Sequence, residues 1–321
     1  MTKLIIQIPC YNEEANIGAT LSALPRSLPG VNSVEWLIIT DGSNDRTVEV
    51  AKSHGVDHIV NFNHNQGLAK AFMAGLEACL KAGADIIVNT DADNQYSAED
   101  IPKLVEPILL KKAEIVIGAR PINQIKHFSF TRKFLQKLGS WVVRIFSNTD
   151  IQDVTSGFRA ITRDAAMQLN VFNEYTYTLE MIIQAGLRGI AITSVPIKTN
   201  QYLRPSRLIK SVPSYVRQSI FTVLRIFMTY RPLRFFMIMG SIPFTLGFLL
   251  GVRWLVLFMG VTPGLHIPSL ILATILILIG VQLWIFGLVA DLMAVNRKML
   301  EDIQLRARKS KFDSRSDASL L

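Results

Sequence analysis

The segment Asn89-Thr90-Asp91-Ala92-Asp93-Asn94-Gln95 follows an apolar stretch and concentrates oxygen donors. In an extended chain, side chains two positions apart share a face. Asp91, Asp93 and Gln95 then present two carboxylates and an amide carbonyl to one side, a donor set suited to Mg2+ or Mn2+. An ion held this way keeps positions open for phosphate oxygens. An Asp-rich turn capping the next helix is the competing reading of the same residues. Three further polar segments stand out: Ile8-Pro9-Cys10-Tyr11-Asn12-Glu13-Glu14, Thr40-Asp41-Gly42-Ser43-Asn44-Asp45 and Asp153-Val154-Thr155-Ser156-Gly157-Phe158-Arg159-Ala160. There is no glycine-rich phosphate loop with a lysine, which argues against an ATPase. His54, His58, His64, His127 and His266 share no spacing and read as ordinary surface or packing residues. Cys10 and Cys79 lack metal-ligand spacing and read as buried, reduced thiols.

These residues need a frame that brings them together. Short apolar runs at Leu4–Pro9, Trp36–Thr40, His58–Asn61, Asp85–Thr90 and Ile115–Gly118 read as strands. Between them, Ala15–Leu24, Asp45–Ser53 and Leu68–Lys81 read as helices. Ser97, with Asp100 three residues on, fits the N-cap of a further helix. Such alternation predicts an α/β fold, a mostly parallel sheet with helices on both faces. Ligands of such sheets bind beyond the carboxyl ends of the strands, where the polar segments fall.

The last third changes character. Two apolar stretches, about 235–259 and 269–292, are each long enough to span a bilayer. The connection from Gly260 to Pro268 carries no Lys or Arg. Arg225, Arg231 and Arg234 flank the first span, and Arg297, Lys298, Arg306, Arg308 and Lys309 follow the second. The positive-inside rule then predicts a hairpin in the inner (plasma) membrane, with the catalytic domain and both termini cytoplasmic. Arg253 is expected to snorkel to the outer interface. A buried helical pair in a soluble protein is the competing reading. Basic amphipathic patterns at about 128–147 and 206–231 read as interfacial helices. The resulting division is 1–205 catalytic, 206–231 juxtamembrane, 232–293 hairpin, and 294–321 a basic, partly disordered tail. In 321 residues the hydrophobic fraction is 50% and the net charge +9, so the anionic partner is expected to be a membrane surface rather than nucleic acid. Met1-Thr2-Lys3 runs straight into a strand without signal-peptide features.

The four polar segments in this order resemble glycosyltransferase family 2. The similarity is greatest to the branch holding dolichyl-phosphate mannose synthase and bacterial polyisoprenyl-phosphate glucosyltransferases with a two-helix anchor. The resemblance implies a GT-A catalytic domain and a role for each matching residue. Pro9, Tyr11, Asn12 and Glu13 would line the nucleotide pocket. Asp41 would contact base or ribose, with Gly42 and Ser43 allowing close approach; Thr40 stands where the family often has a first aspartate. Asn65-Gln66-Gly67-Leu68-Ala69 matches a segment near the donor, or is simply a helix N-terminus packed on the sheet. Asp91, Ala92, Asp93 and Gln95 would hold donor and metal. Arg120 and Arg132 would bind the acceptor phosphate. Arg204, Ser206 and Arg207 match a mobile lid, with Arg204 and Arg207 also reaching the phosphate. Asp153 either acts on the acceptor as a base or is a structural partner for an arginine or backbone N–H.

The implied reaction moves a hexose from a nucleotide-diphosphate sugar onto polyprenyl phosphate. A phosphate monoester is already anionic and needs no strong base, so catalysis rests on positioning and charge. One displacement inverts the anomeric centre. Asn94-Gln95-Tyr96 and Tyr202-Leu203-Arg204-Pro205-Ser206-Arg207 resemble the glucosyltransferase branch, which favours UDP-glucose and undecaprenyl phosphate, with GDP-mannose as the alternative donor. A processive polysaccharide synthase is disfavoured, because no Gln-x-x-Arg-Trp motif is present. A non-catalytic nucleotide-binding scaffold is the reading from another class. Small and aromatic residues in the spans would permit a homo-oligomer.

Overall fold

The computed structural model describes residues 2–121, 151, 153–171, 177–200, 221, 224–225, 227–259 and 267–318, the side chains of 311 and 313–318 excepted. The interfacial stretch 128–147 and most of 206–231 lie outside the described residues, and so do Arg132, Arg204, Ser206 and Arg207.

Strand β1 (Lys3–Cys10) is buried on both faces along almost its whole length, as a central strand of a parallel sheet must be. It pairs in parallel with β2 (Ser33–Thr40) on one side and β4 (Ile86–Asn89) on the other. Edge strand β3 (His58–Asn61) lies beyond β2. The seven-stranded order is β3-β2-β1-β4-β6-β5-β7, with β5 at Ile115–Ala119, β6 at Arg159–Thr162 and β7 at Ile192–Pro196. Only β6 runs antiparallel to its neighbours, β4 and β5. Sequence periodicity gives the first five strands but not the last two. β6 is four residues long and opens on Arg159; β7 is an edge strand that is nowhere fully buried and ends in Pro196.

Helices α1 (Ile17–Ala23), α2 (Thr47–Ser53) and α4 (Ile101–Leu109) cover one face, where Leu4, Ile6, Ile8, Ile17, Leu21, Ile38 and Leu104 form a continuous core. Helix α3 (Leu68–Lys81) covers the other, and Phe72 stacks on Tyr177 of α6 (Tyr177–Arg188) at 4.0 Å between centroids. Ser97 stands at the N-cap position expected of it, but its side chain makes no cap hydrogen bond. A 3-10 turn at Ala98–Asp100 intervenes before α4, and Asp100 instead accepts the Lys198 N–H at 2.5 Å and pairs with Lys103. Two polar side chains interrupt the apolar sheet: Gln7 Nε2 donates to Asn89 Oδ1 at 2.9 Å, both fully buried. Gly75 makes room for them, since a Cβ there would meet Gln7 Oε1 at 2.4 Å.

The chain forms two compact units, Met1–Val216 with Leu305–Leu321, and Arg217–Gln304. In the second, α7 (Pro232–Met259) and the first part of α8 (Ile267–Ala318) are both long and apolar enough to cross a membrane. Only 11% and 17% of their most apolar windows are buried, unlike the core helices of a soluble protein. Glycines seven residues apart set their packing. A Cβ on Gly240 would meet Gly280 O at 2.7 Å, and one on Gly247 would meet Ala273 O at 2.7 Å. Trp284 Nε1 donates to Met237 O at 3.2 Å across the pair. These small residues therefore bring the two helices of one chain together.

In the basic tail from 294, where disorder is expected after about Ser310, α8 continues as helix through Ala318. Its Lys, Glu, Arg, Leu and Ala content favours helix. Within the first unit, Arg308 Nη1 donates to Met167 O and Leu169 O at 3.2 and 2.8 Å, closing the end of α5 (Arg163–Gln168). Phe312 is buried beside it, so this segment has tertiary partners of its own.

Gly280→Leu should destabilise the hairpin by about 1–3 kcal/mol through overpacking against Phe244 and Gly240. A lowered melting temperature of the second unit in detergent is the expected outcome.

Candidate active site

Parallel strands end on one edge, so the loops after β1, β2, β4 and β5 converge there. Because β6 is antiparallel, its first residue reaches the same edge: Arg159 pairs with Asn89 of β4 and with Ile117 of β5. This reversal brings the Asp153–Phe158 segment beside Asp91. Asn89 Nδ2 donates to Gly157 O at 2.8 Å and reaches the Tyr177 hydroxyl at 3.1 Å. A Cβ on Gly157 would stand 2.8 Å from Asp91 Oδ1, so only glycine lets that backbone approach so closely.

The acidic loop is held from three sides. Thr20 Oγ1 donates to Ala92 O at 2.8 Å. Asn94 has φ 53, and Asn200 Nδ2 donates to its carbonyl at 2.9 Å. The Asn200 N–H donates to Gln95 O at 2.9 Å, and Tyr96 bridges to Thr199. Asp93 Oδ1 accepts the Gln95 N–H at 3.2 Å. Burial and the neighbouring charge of Asp93 push the Asp91 carboxyl up to about 6. Among the described residues no cluster of three His, Cys, Asp or Glu occurs. The donor set is the two carboxylates with Gln95, and it fits a hard divalent cation on chemical grounds: two anions share a shielded site where one of them is costly to keep charged.

The first two loops are tied to each other. The Asn12 N–H donates to Ser43 Oγ at 3.0 Å, and Asn12 Oδ1 accepts the Asn44 N–H at 2.9 Å. The Glu13 N–H donates to Thr47 Oγ1, and the buried Glu13 carboxylate accepts from Asn16. Pro9 is buried within β1, whereas Tyr11 is 41% exposed at the edge. The buried Asp41 accepts the N–H groups of Gln66 and Gly67 at 2.7 and 2.9 Å, capping α3. Gly42, at φ 69, approaches the His64–Asn65 backbone so closely that a Cβ would stand 2.4 Å from His64 C. Asp41 and Gly42 thus hold the Asn65–Ala69 segment, which here is the N-terminus of α3.

Arg120 and Asp153 form a two-pronged ion pair, Nε to Oδ2 at 2.7 Å and Nη2 to Oδ1 at 3.1 Å, and Arg120 Nη2 also donates to Thr155 Oγ1 at 2.8 Å. Burial pulls the Asp153 carboxyl upward, but the hydrogen bonds and charge of Arg120, with Thr155, hold it below the usual carboxylate range. Asp153 thus has an arginine partner, one of the contacts expected of it. Arg159, fully buried, donates to Ser156 O, Val154 O and Thr178 O at 2.7 to 3.0 Å and so fixes the same loop. Gln7, Asn89, Arg159 and Asn200 carry no role in the sequence reading. The signal for the first two was a polar residue within an apolar strand for Gln7 and at the end of one for Asn89.

Two outcomes are expected. Folded Asp91 has a raised pKa, so its contribution to stability is fully present below about pH 4 and lost as pH rises through about 6. In metal-free protein, Asp91→Asn should therefore be more stable than native at pH 8, by no more than about 3 kcal/mol, with the gain vanishing toward pH 4. Denaturation with EDTA at both pH values checks this. Arg120→Ala should cost about 3–5 kcal/mol by stranding the buried Asp153 charge, and Asp153→Asn should cost less in the same denaturation series.

Comparison with known proteins follows the same edge. An undecaprenyl-phosphate mannosyltransferase of Micrococcus luteus is 29% identical over 205 residues, covering 61% of this chain and 82% of its own. A dolichyl-phosphate beta-glucosyltransferase of Trichomonas vaginalis is 29% identical over 244 residues, covering 68% of this chain and 73% of its own. Among solved structures, glucosyl-3-phosphoglycerate synthase of Mycobacterium tuberculosis, crystallised with Mn2+ and uridine diphosphate, superposes with a TM-score of 0.53. It shares 20% identity, over 69% of this chain and 80% of its own, a likeness of fold and specifically of the GT-A kind. The model of the family described as "Glycosyl transferase family 2" matches residues 5–169, over half of the chain and every strand-end loop from Pro9 to Gly157. By that match the chain is a glycosyltransferase and belongs to glycosyl transferase family 2.

Proposed function

We propose that this glycosyltransferase moves a hexose from a nucleotide-diphosphate sugar to a polyprenyl phosphate, with inversion at the anomeric carbon. The observation that carries the reading is the commitment of the site's other carboxylates. Asp153 is paired with Arg120, Asp41 caps α3, Glu13 is bonded to Asn16, and Asp45 is bonded to Thr47. Asp91 and Asp93 remain as the adjacent pair of carboxylates, held by neutral donors, the Tyr96 hydroxyl and the Gln95 N–H. A site so built offers no ready base, so the acceptor best suited to it brings its own negative charge. A phosphate monoester does. Its oxygen forms the new bond to the anomeric carbon while the bond to the diphosphate breaks, and the electron pair leaves on the diphosphate. No proton need move.

Asp91, Asp93 and Gln95 would hold Mg2+ or Mn2+, which when bound neutralises the departing diphosphate. Tyr11, Asn12 and Glu13, with Ser43, form the side of the edge that receives the nucleoside. Asp41 contributes there chiefly by fixing the loop that precedes α3. Arg132, Arg204 and Arg207 are assigned to the acceptor phosphate on the family resemblance, and Arg120 to the loop beneath it. The two apolar helices support a lipid acceptor and a hairpin in the plasma membrane, with the catalytic unit on the cytoplasmic side. Both a mannosyl- and a glucosyltransferase are among the relatives. UDP-glucose is the favoured donor on the Asn94-Gln95-Tyr96 resemblance, and GDP-mannose the second; undecaprenyl phosphate is the favoured acceptor.

The test is sugar transfer by full-length protein in detergent, with undecaprenyl phosphate, Mg2+ or Mn2+, and radiolabelled UDP-glucose or GDP-mannose in parallel. Label should enter the lipid phase from one donor and disappear with EDTA. Asp93→Asn should lose at least about a hundredfold in turnover without loss of fold. Lipid-linked product from neither donor, or turnover indifferent to EDTA, sinks the reading.

A further inference from the structure

The side chain of Tyr96 is 4% exposed, and its ring stacks on Phe158 with centroids 5.1 Å apart. Its hydroxyl accepts the Gly157 N–H at 3.0 Å. The same hydroxyl lies within hydrogen-bonding reach of the Asp91 carboxylate, whose oxygens pack against Gly157. A phenol has one proton to give. With the Gly157 N–H directed at the oxygen's lone pair, that proton goes to Asp91. Gly157 closes the other side, since a Cβ there would lie 2.8 and 3.1 Å from the two Asp91 oxygens. Asp93, by contrast, is held by the Gln95 N–H of its own loop.

From this geometry we infer that Tyr96 is a positioning residue for the divalent-cation site: its hydroxyl fixes the Asp91 carboxylate and ties it to the Gly157 peptide. The inference rests on the reading of Asp91 and Asp93 as cation ligands. It goes further in naming how one ligand is aimed and what it is joined to. The Gly157 carbonyl accepts from Asn89 and its N–H donates to Tyr96, so one peptide unit is braced at both ends. The cation loop and the Asp153–Gly157 loop then form one rigid piece, and the latter carries the partner of Arg120. Hydrogen bonds that orient a metal ligand in this way are commonly worth ten- to a hundredfold in metal affinity.

The experiment is a Mn2+ titration of the full-length protein in detergent, followed by electron paramagnetic resonance, with and without UDP. Tyr96→Phe keeps the ring and its stack on Phe158 and deletes only the hydroxyl. It should weaken Mn2+ binding about tenfold or more and alter the line shape of the bound ion. Phe158→Leu removes the stack and keeps the hydroxyl, and its affinity should stay within about twofold of native. Gly157→Ala drives a methyl against Asp91 with ring and hydroxyl in place, and gives an independent reading should Tyr96→Phe not fold; it too should lose Mn2+ affinity. Native affinity in Tyr96→Phe, or in Gly157→Ala where Tyr96→Phe is unfolded, overturns the inference and leaves the cation reading standing. A native protein that binds no Mn2+, with or without UDP, overturns both.

Discussion

Two carboxylates two positions apart in the sequence, one of them shielded, repel each other and lose hydration; the rest of the site is arranged around that cost. Asp91 is the sharper case, because burial and the charge of Asp93 both oppose its ionisation. A fold can keep such a group only by bracing it against escape. Tyr96, Gly157 and Asn89 do so on one side, and Thr20 and Asn200 hold the backbone on the other. The strain of unbalanced charge is thereby kept where a cation and a diphosphate would relieve it.

The brace depends on one reversal of strand direction. If β6 ran parallel to β4, its first residue would lie at the opposite edge and Gly157 could not meet Asp91. The polar line Gln7–Asn89–Gly157 runs through the apolar sheet and fixes where that reversed strand docks. Buried amides with complete partners specify register in a way that interchangeable aliphatic contacts cannot.

Much of this was legible in the sequence. The first five strands, α3, the acidic loop and the two apolar spans all follow from short-range patterns, and the four polar segments in order carried the family. What escaped depends on contacts between distant residues. β6 and β7 are too short, and one too exposed, to show periodicity. Asp153 offered a base or a structural partner in sequence; that it pairs with Arg120, thirty-three residues away, only the fold shows. The resemblance implies donor contacts for Asp41 and Gly42; that Asp41 also accepts the Gln66 and Gly67 N–H groups, and that Gly42 closes on the His64–Asn65 backbone, only the fold shows. The tail read as disordered because it is polar. Arg308 and Phe312 find their partners more than a hundred residues earlier.

That last feature bears on how the protein is made. Leu305–Leu321 belongs to the same compact unit as the first two hundred residues, and Arg308 and Phe312 complete its surface beside α5. A ribosome adds this segment only after both apolar helices have been synthesised. The amino-terminal unit can therefore build its sheet early but must wait for the emerging carboxyl-terminal helix to be finished. Completion of that unit is in this way deferred until both apolar helices have been synthesised.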